Sequence, residues 1–211
     1  KLVLKEGILN SISITINIMY FSIISHSLAK MEAGYLNLYS FGLIFIFSFS
    51  FFFEGLQQGI TIITARMIGR NNASTLRIIE VAGIKISGIF ISILFLCMIF
   101  FSEPIKKLFF GNLINLSLER QINLVFLYLF LFLAFECIYR VLIGVQFAFG
   151  YIRYIPLVNI IVFFFFAVLP IIFIPYIFYD TFLSYSWFFM MISALGRIII
   201  HYIKRKQIIF K

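Results

Sequence analysis

Residues 121–149 read QINLVFLYLFLFLAFECIYRVLIGVQFAF, an apolar run holding one carboxylate, Glu136, and one guanidinium, Arg140. About 20 apolar residues suffice for a helix to cross a hydrocarbon core of roughly 30 Å. A charged side chain at that depth is costly. It ordinarily faces a bundle interior, a water-filled cavity or an ion pathway. The run therefore predicts a membrane-spanning helix with its charged groups turned inward.

Five more apolar stretches accompany it, over residues 7–28, 35–68, 76–101, 156–178 and 181–202. The predicted fold class is an all-α membrane protein, a six-transmembrane-helix bundle forming a single unit over residues 1–211. With 63% hydrophobic and only 12% charged residues, the chain lacks the polar surface of a soluble domain. Stretch 35–68 would make about 51 Å of straight helix, so it either projects into water or bends near Gly55 and Gly59. Gly69-Arg70-Asn71-Asn72-Ala73-Ser74 is turn-forming, with Ser74 a candidate cap for the next helix. Residues 102–120 are the main interruption: Glu103-Pro104, a short interfacial helix over 105–110, and a turn at Gly111-Asn112. Residues 150–155 predict a loop and Tyr179-Asp180 the last turn. Pro170 and Pro175 predict a bend in the fifth span, either static or gating.

The net charge is +9, but the basic residues cluster at span ends and short connections, which speaks for topology and against a nucleic-acid partner. With the N-terminus inside, the inner side collects twelve basic residues, Arg77, Lys85, Arg197 and Lys204 among them. The outer side has only Lys30, Lys106, Lys107 and Arg120. Both termini are expected in the cytoplasm. Cys97 and Cys137 lack CxxC spacing, so neither a disulfide framework nor a metal site is expected. His26 and His201 read as interfacial histidines. No Ser-His-Asp, HExxH or P-loop arrangement occurs, so neither an enzyme nor a cofactor is expected. The chain begins at Lys1 without a signal cleavage site after its first apolar stretch, and we expect a part of something longer.

Gly55-Leu56-Gln57-Gln58-Gly59, the apolar residues 60–68 and Gly69-Arg70-Asn71-Asn72 together resemble the second helix and following loop of a lobe in the multidrug and toxic compound extrusion (MATE) family. Gly144, Gly150, Arg153 and Pro156 resemble that family's small-residue pattern entering an Arg–Pro loop, and the Glu103-Pro104 break also fits. The resemblance implies one lobe of a twelve-helix, two-lobe transporter in the bacterial inner membrane. Such a transporter exchanges Na⁺ or H⁺ for organic, often cationic, compounds by alternating access. Its partners would be the lipid bilayer, a second lobe and a small organic substrate. Glu136, eight residues before Gly144, resembles a cation-site carboxylate of the C-terminal lobe. Asn17 stands where some members carry a carboxylate in the first helix.

Two other functions stay open. Lipid-linked saccharide flippases share much of the pattern, but they would want several deep basic groups for a diphosphate, and only Arg140 reads as deep. A membrane scaffold subunit without transport of its own is the third.

Each candidate residue has a structural alternative. Glu136 and Arg140, at i and i+4, form either an intrahelical ion pair or a cation site that Arg140 tunes. Glu54, before Gly55, either reaches the interface or joins the cation site. Asn10, Ser13, Asn17 and Tyr20 form one polar stripe on the first helix. It serves as interhelical glue, as a wall of the substrate cavity, or as neutral Na⁺ ligands. Gln57 and Gln58 sit beside Gly55 and Gly59, a spacing that favours close helix packing over ligand binding. The runs Phe51–Phe53 and Phe163–Phe166 face lipid or pack.

Overall fold

The computed structural model describes residues 2–29, 33–70, 75–110, 116–173 and 181–209, which are helical with short turns and contain no strand. Ser74, Gly111, Asn112, Pro175 and the Tyr179-Asp180 turn lie outside the described residues. The helices are α1 (Leu2–Leu28), α2 (Ala33–Gly69), α3 (Leu76–Phe110), α4 (Leu116–Ala148), α5 (Tyr154–Phe163), α6 (Leu169–Phe173) and α7 (Phe182–Ile209). A π-helical segment, Phe164–Val168, joins α5 to α6.

The described residues of the six apolar stretches become helix, with departures from expectation at the prolines. α3 runs through Pro104 to Phe110, so the expected break and separate interfacial helix are one continuous element. Proline removes a single backbone donor. The turn around it is held by Lys106 Nζ, which donates to Glu103 Oε1 at 2.8 Å, and by Ile105, which packs on the core. That hydrogen bond holds the Glu103 carboxyl below its ordinary pKa. α2 is unbroken through Gly55 and Gly59, about 55 Å for its 37 residues, so it projects past the hydrocarbon. At Pro170, where a bend was expected, the backbone changes its hydrogen-bonding pattern. The proline's missing N–H would have bonded the Phe166 carbonyl, and the backbone there widens to a π turn.

α4 is the axis of the bundle. It packs against α7, α2 and α3, while α1 rests chiefly on α5. Half of its apolar window is buried, against 17% in α1 and in α3. The main core runs from Tyr20 and Ile24 through Leu38 and Leu129 to Leu183 and Trp187, with two smaller apolar clusters around Ile60 and Ile143.

Close approach depends on three glycines. A Cβ on Gly144 would meet the Gln57 carbonyl oxygen at 2.9 Å, one on Gly83 the Ile60 side chain at 2.8 Å, and one on Gly42 the Trp187 ring at 2.4 Å. Gly55 and Gly59 do not serve this purpose: nothing lies within 4 Å of a Cβ on either. The packing expected of that pair is supplied by the facing helix instead. Thr61 strengthens the seam, its hydroxyl lying 2.8 Å from Gln57 O and 3.0 Å from Gly144 O.

Gly150 ends α4 with φ +79°. Its N–H donates to Phe147 O at 3.0 Å, and Tyr151 N–H to Gln146 O at 3.1 Å, the paired bonds of a Schellman cap.

Candidate buried charge network

Glu136 and Arg140 meet as their spacing predicts, but they are not alone. Arg140 Nε donates to Glu136 Oε1 at 2.9 Å, and Arg197 Nη2, from α7, donates to Glu136 Oε2 at 3.0 Å. Arg140 Nη1 also donates to Gln57 Oε1 at 2.9 Å. The Arg197 guanidinium lies 4.6 Å from the centre of the Tyr139 ring, a cation–π distance. The Tyr139 hydroxyl donates to Asn159 Oδ1 at 2.7 Å. One chain of contacts, Gln57–Arg140–Glu136–Arg197–Tyr139–Asn159, thus ties together α2, α4, α7 and α5.

Both carboxylate oxygens of Glu136 accept from a guanidinium, and one negative charge faces two positive ones. A cation arriving at Glu136 would meet two guanidiniums already in place on its carboxylate. The two arginines differ: the Arg197 side chain is 11% exposed, the Arg140 side chain 26%. Arg140 also has Gln57 as a second acceptor. It is therefore the partner with another acceptor already in hand when its bond to Glu136 is broken.

The network continues along α7. His201 is fully buried one turn beyond Arg197, near the end of its span. Gln146 Nε2 donates to His201 O at 2.8 Å, so its Oε1, 2.7 Å from His201 Nδ1, accepts from that ring nitrogen. His201 Nε2 and Arg197 Nε are buried without a hydrogen-bond partner. A further turn on, Arg205 forks onto Glu80 of α3. Arg197, His201 and Arg205 thus recur at i, i+4 and i+8 on one face of α7.

The other expected site residues are not bonded to Glu136. Glu54 is exposed on α2, within electrostatic reach of Arg140, and Asn17 is exposed on α1; neither is a partner of Glu136 among the described contacts. Ser13 is half-buried, and the Asn10 side chain lies outside the described residues. Tyr20 is buried; its hydroxyl donates to Ser186 O and its ring meets Phe163 edge-on. Tyr20 acts here as interhelical glue. Residues 17 and 20 differ by about 60° around a helix, enough to send one outward and the other into the core.

Arg197 is the main residue that sequence reasoning missed. It was counted as an inner-side topology charge, although it stands five residues before the end of the stretch 181–202. Its spacing to His201 and Arg205 was the available signal. Removing it from the inner side leaves the charge asymmetry in place.

Six helices are long and apolar enough to cross a bilayer, and their outward faces carry large apolar side chains such as Phe51, Phe100 and Ile89. This is an integral membrane protein, a bundle of transmembrane helices with a charged interior. No protein-family model matches the chain, and no curated protein or solved structure does either.

Proposed function

We propose that the chain is one six-helix lobe of an alternating-access antiporter that couples Na⁺ or H⁺ entry to export of small organic compounds. The supporting observation is the buried carboxylate clasped by two guanidiniums from different turns and helices. Such a cluster is expensive to bury unless every member is paired, and intramembrane charges of this kind mark transport pathways. Coupling then works by exchange of partners. In the state described here Arg140 and Arg197 occupy Glu136 and exclude a cation. In the opposite state Arg140 gives up Glu136 and keeps Gln57, and the freed oxygen accepts Na⁺ or a proton. Glu54, one turn before Gln57, offers Arg140 a counter-charge on that side. Differential ion affinity of the two states drives the cycle. The bacterial inner membrane, both termini cytoplasmic and a second lobe as partner belong to this proposal.

One observation favours the second reading, a lipid-linked saccharide flippase. Two guanidiniums lie deep, where the sequence offered only Arg140. A single experiment separates them. The complete gene product is reconstituted in liposomes and assayed for ethidium exchange against a Na⁺ or pH gradient, and for translocation of a fluorescent lipid-linked oligosaccharide. Ion-dependent dye exchange supports antiport. Oligosaccharide translocation without dye exchange supports the flippase, and neither activity rejects transport.

A further inference from the structure

At the end of the bundle where α4 and α7 both begin lies a cavity of about 370 Å³. Among the described residues, six of the seven lining side chains are polar: Arg120, Gln121, Tyr128, Thr181, Ser184 and Tyr185; Leu124 is the exception. The walls combine these hydrogen-bonding groups with the apolar faces of Leu124 and the two tyrosine rings. The cavity is also remote from the central network, since it shares no residue with it. We propose that it binds a phosphate ester carrying neighbouring hydroxyl groups, of the size of glycerol phosphate.

The chemistry follows from the lining. Arg120 is exposed at the rim and is the one charged side chain among the described residues of the wall, so it supplies the contact for an anion. A guanidinium fork matches phosphate geometry. Glu119, its neighbour in sequence, is about 100° away around the helix and is not part of the wall. Deeper in, Ser184 donates its hydroxyl to Gln121 Oε1, and both are buried, so the floor is a fixed amide–hydroxyl pair. Tyr128 and Tyr185 add hydroxyls and ring faces. Donors and acceptors of this kind suit alcohol groups, not a bare anion. The volume sits at the small end of ligand sites, roughly 300–1,000 Å³, which admits a three- to six-carbon skeleton and excludes a bulky drug.

Two sources present this chemistry: a soluble polyol phosphate and the glycerophosphate headgroup of an anionic phospholipid. The cavity lies at the ends of two apolar spans, where either can reach it. The test places the full chain in phosphatidylcholine nanodiscs. It is titrated with sn-glycerol 3-phosphate, with inorganic phosphate and with glycerol, using calorimetry. In parallel, native mass spectrometry compares retention of phosphatidylglycerol and phosphatidylcholine. We expect saturable binding of glycerol 3-phosphate, selective retention of phosphatidylglycerol, or both; the positive arm identifies the source. Arg120→Gln alters an exposed side chain and should fold normally by gel filtration. It should weaken binding roughly tenfold, as loss of a charge-assisted contact does. The double variant Tyr128→Phe with Tyr185→Phe should weaken the polyol ester but not inorganic phosphate. Lys85→Gln, on α3, should change nothing. Failure of both arms with folded protein overturns the proposal. So does equal affinity for inorganic phosphate, or unchanged binding in Arg120→Gln. None of these readouts depends on transport, so the site and the antiport reading fail separately.

Discussion

At the scale of single residues, the protein turns on the balance of charge around Glu136. Removing one member of a buried ion pair leaves the other uncompensated, typically at about 3–5 kcal/mol. Glu136→Gln strands two guanidiniums, Arg140 and Arg197, and should lower the thermal midpoint in detergent markedly. The triple variant Glu136→Met, Arg140→Met, Arg197→Met removes every charge at once. It should return to wild-type stability or exceed it by about 1–4 kcal/mol, as well-packed apolar replacements of buried ion clusters do. Fluorescence-detected gel filtration after heating reads both. The same pair of variants tests coupling. If Glu136 receives the ion, the triple variant folds and shows no ion-dependent exchange. Normal, still ion-dependent exchange by that variant would reject the role proposed for Glu136.

Among the elements, the helix seams make sharper demands than composition suggests. Gly144→Ala pushes a methyl group to 2.9 Å from a backbone oxygen of α2, and backbone yields less readily than a side-chain tip. A cost of about 1–3 kcal/mol is expected from such overpacking. Gly59→Ala meets open space and should lie within about 1 kcal/mol of wild type, on the stabilising side, because alanine suits a helix better. Gly150→Ala should cost about 1–2 kcal/mol, since its left-handed conformation strains any residue with a Cβ. Thermal unfolding of the three variants side by side tests the ranking. If Gly59→Ala proves the worst, the α2–α4 seam is wrongly placed. The π segment before Pro170 is the other element with a mechanical role: a span already widened at one turn bends there more readily than elsewhere.

For the molecule as a whole, the expectation is six crossings with both ends in the cytoplasm. Single cysteines at Lys30 and Lys204, in a background lacking Cys97 and Cys137, should label from opposite sides of intact cells. Equal labelling of both from outside would refute the topology. Most of the surface of α1 and α3 faces outward, only 17% of each apolar window being buried. A two-lobe transporter would use part of that surface for its second lobe. Residues 1–211 alone, reconstituted in liposomes, are therefore expected to show no ion-dependent dye exchange. Robust exchange by the isolated chain would remove the need for a partner lobe.

The number and placement of the helices were legible because crossing a bilayer imposes length and apolarity locally, residue by residue along the chain. The Glu136–Arg140 pair was legible for the same reason, being one turn of one helix. Its completion by Arg197, Gln57 and Tyr139 was not, because those contacts join helices far apart in sequence and depend on which faces meet. The same holds for the glycines. Sequence spacing singled out Gly55 and Gly59, but which glycine sits in a seam depends on how α2 is rotated, and the structure places Gly144, Gly83 and Gly42 there. Local hydrophobicity determined that this chain is a membrane helical bundle. The packing of α7 against α4 decided that the Glu136 carboxylate is held by two arginines and not left open to an ion.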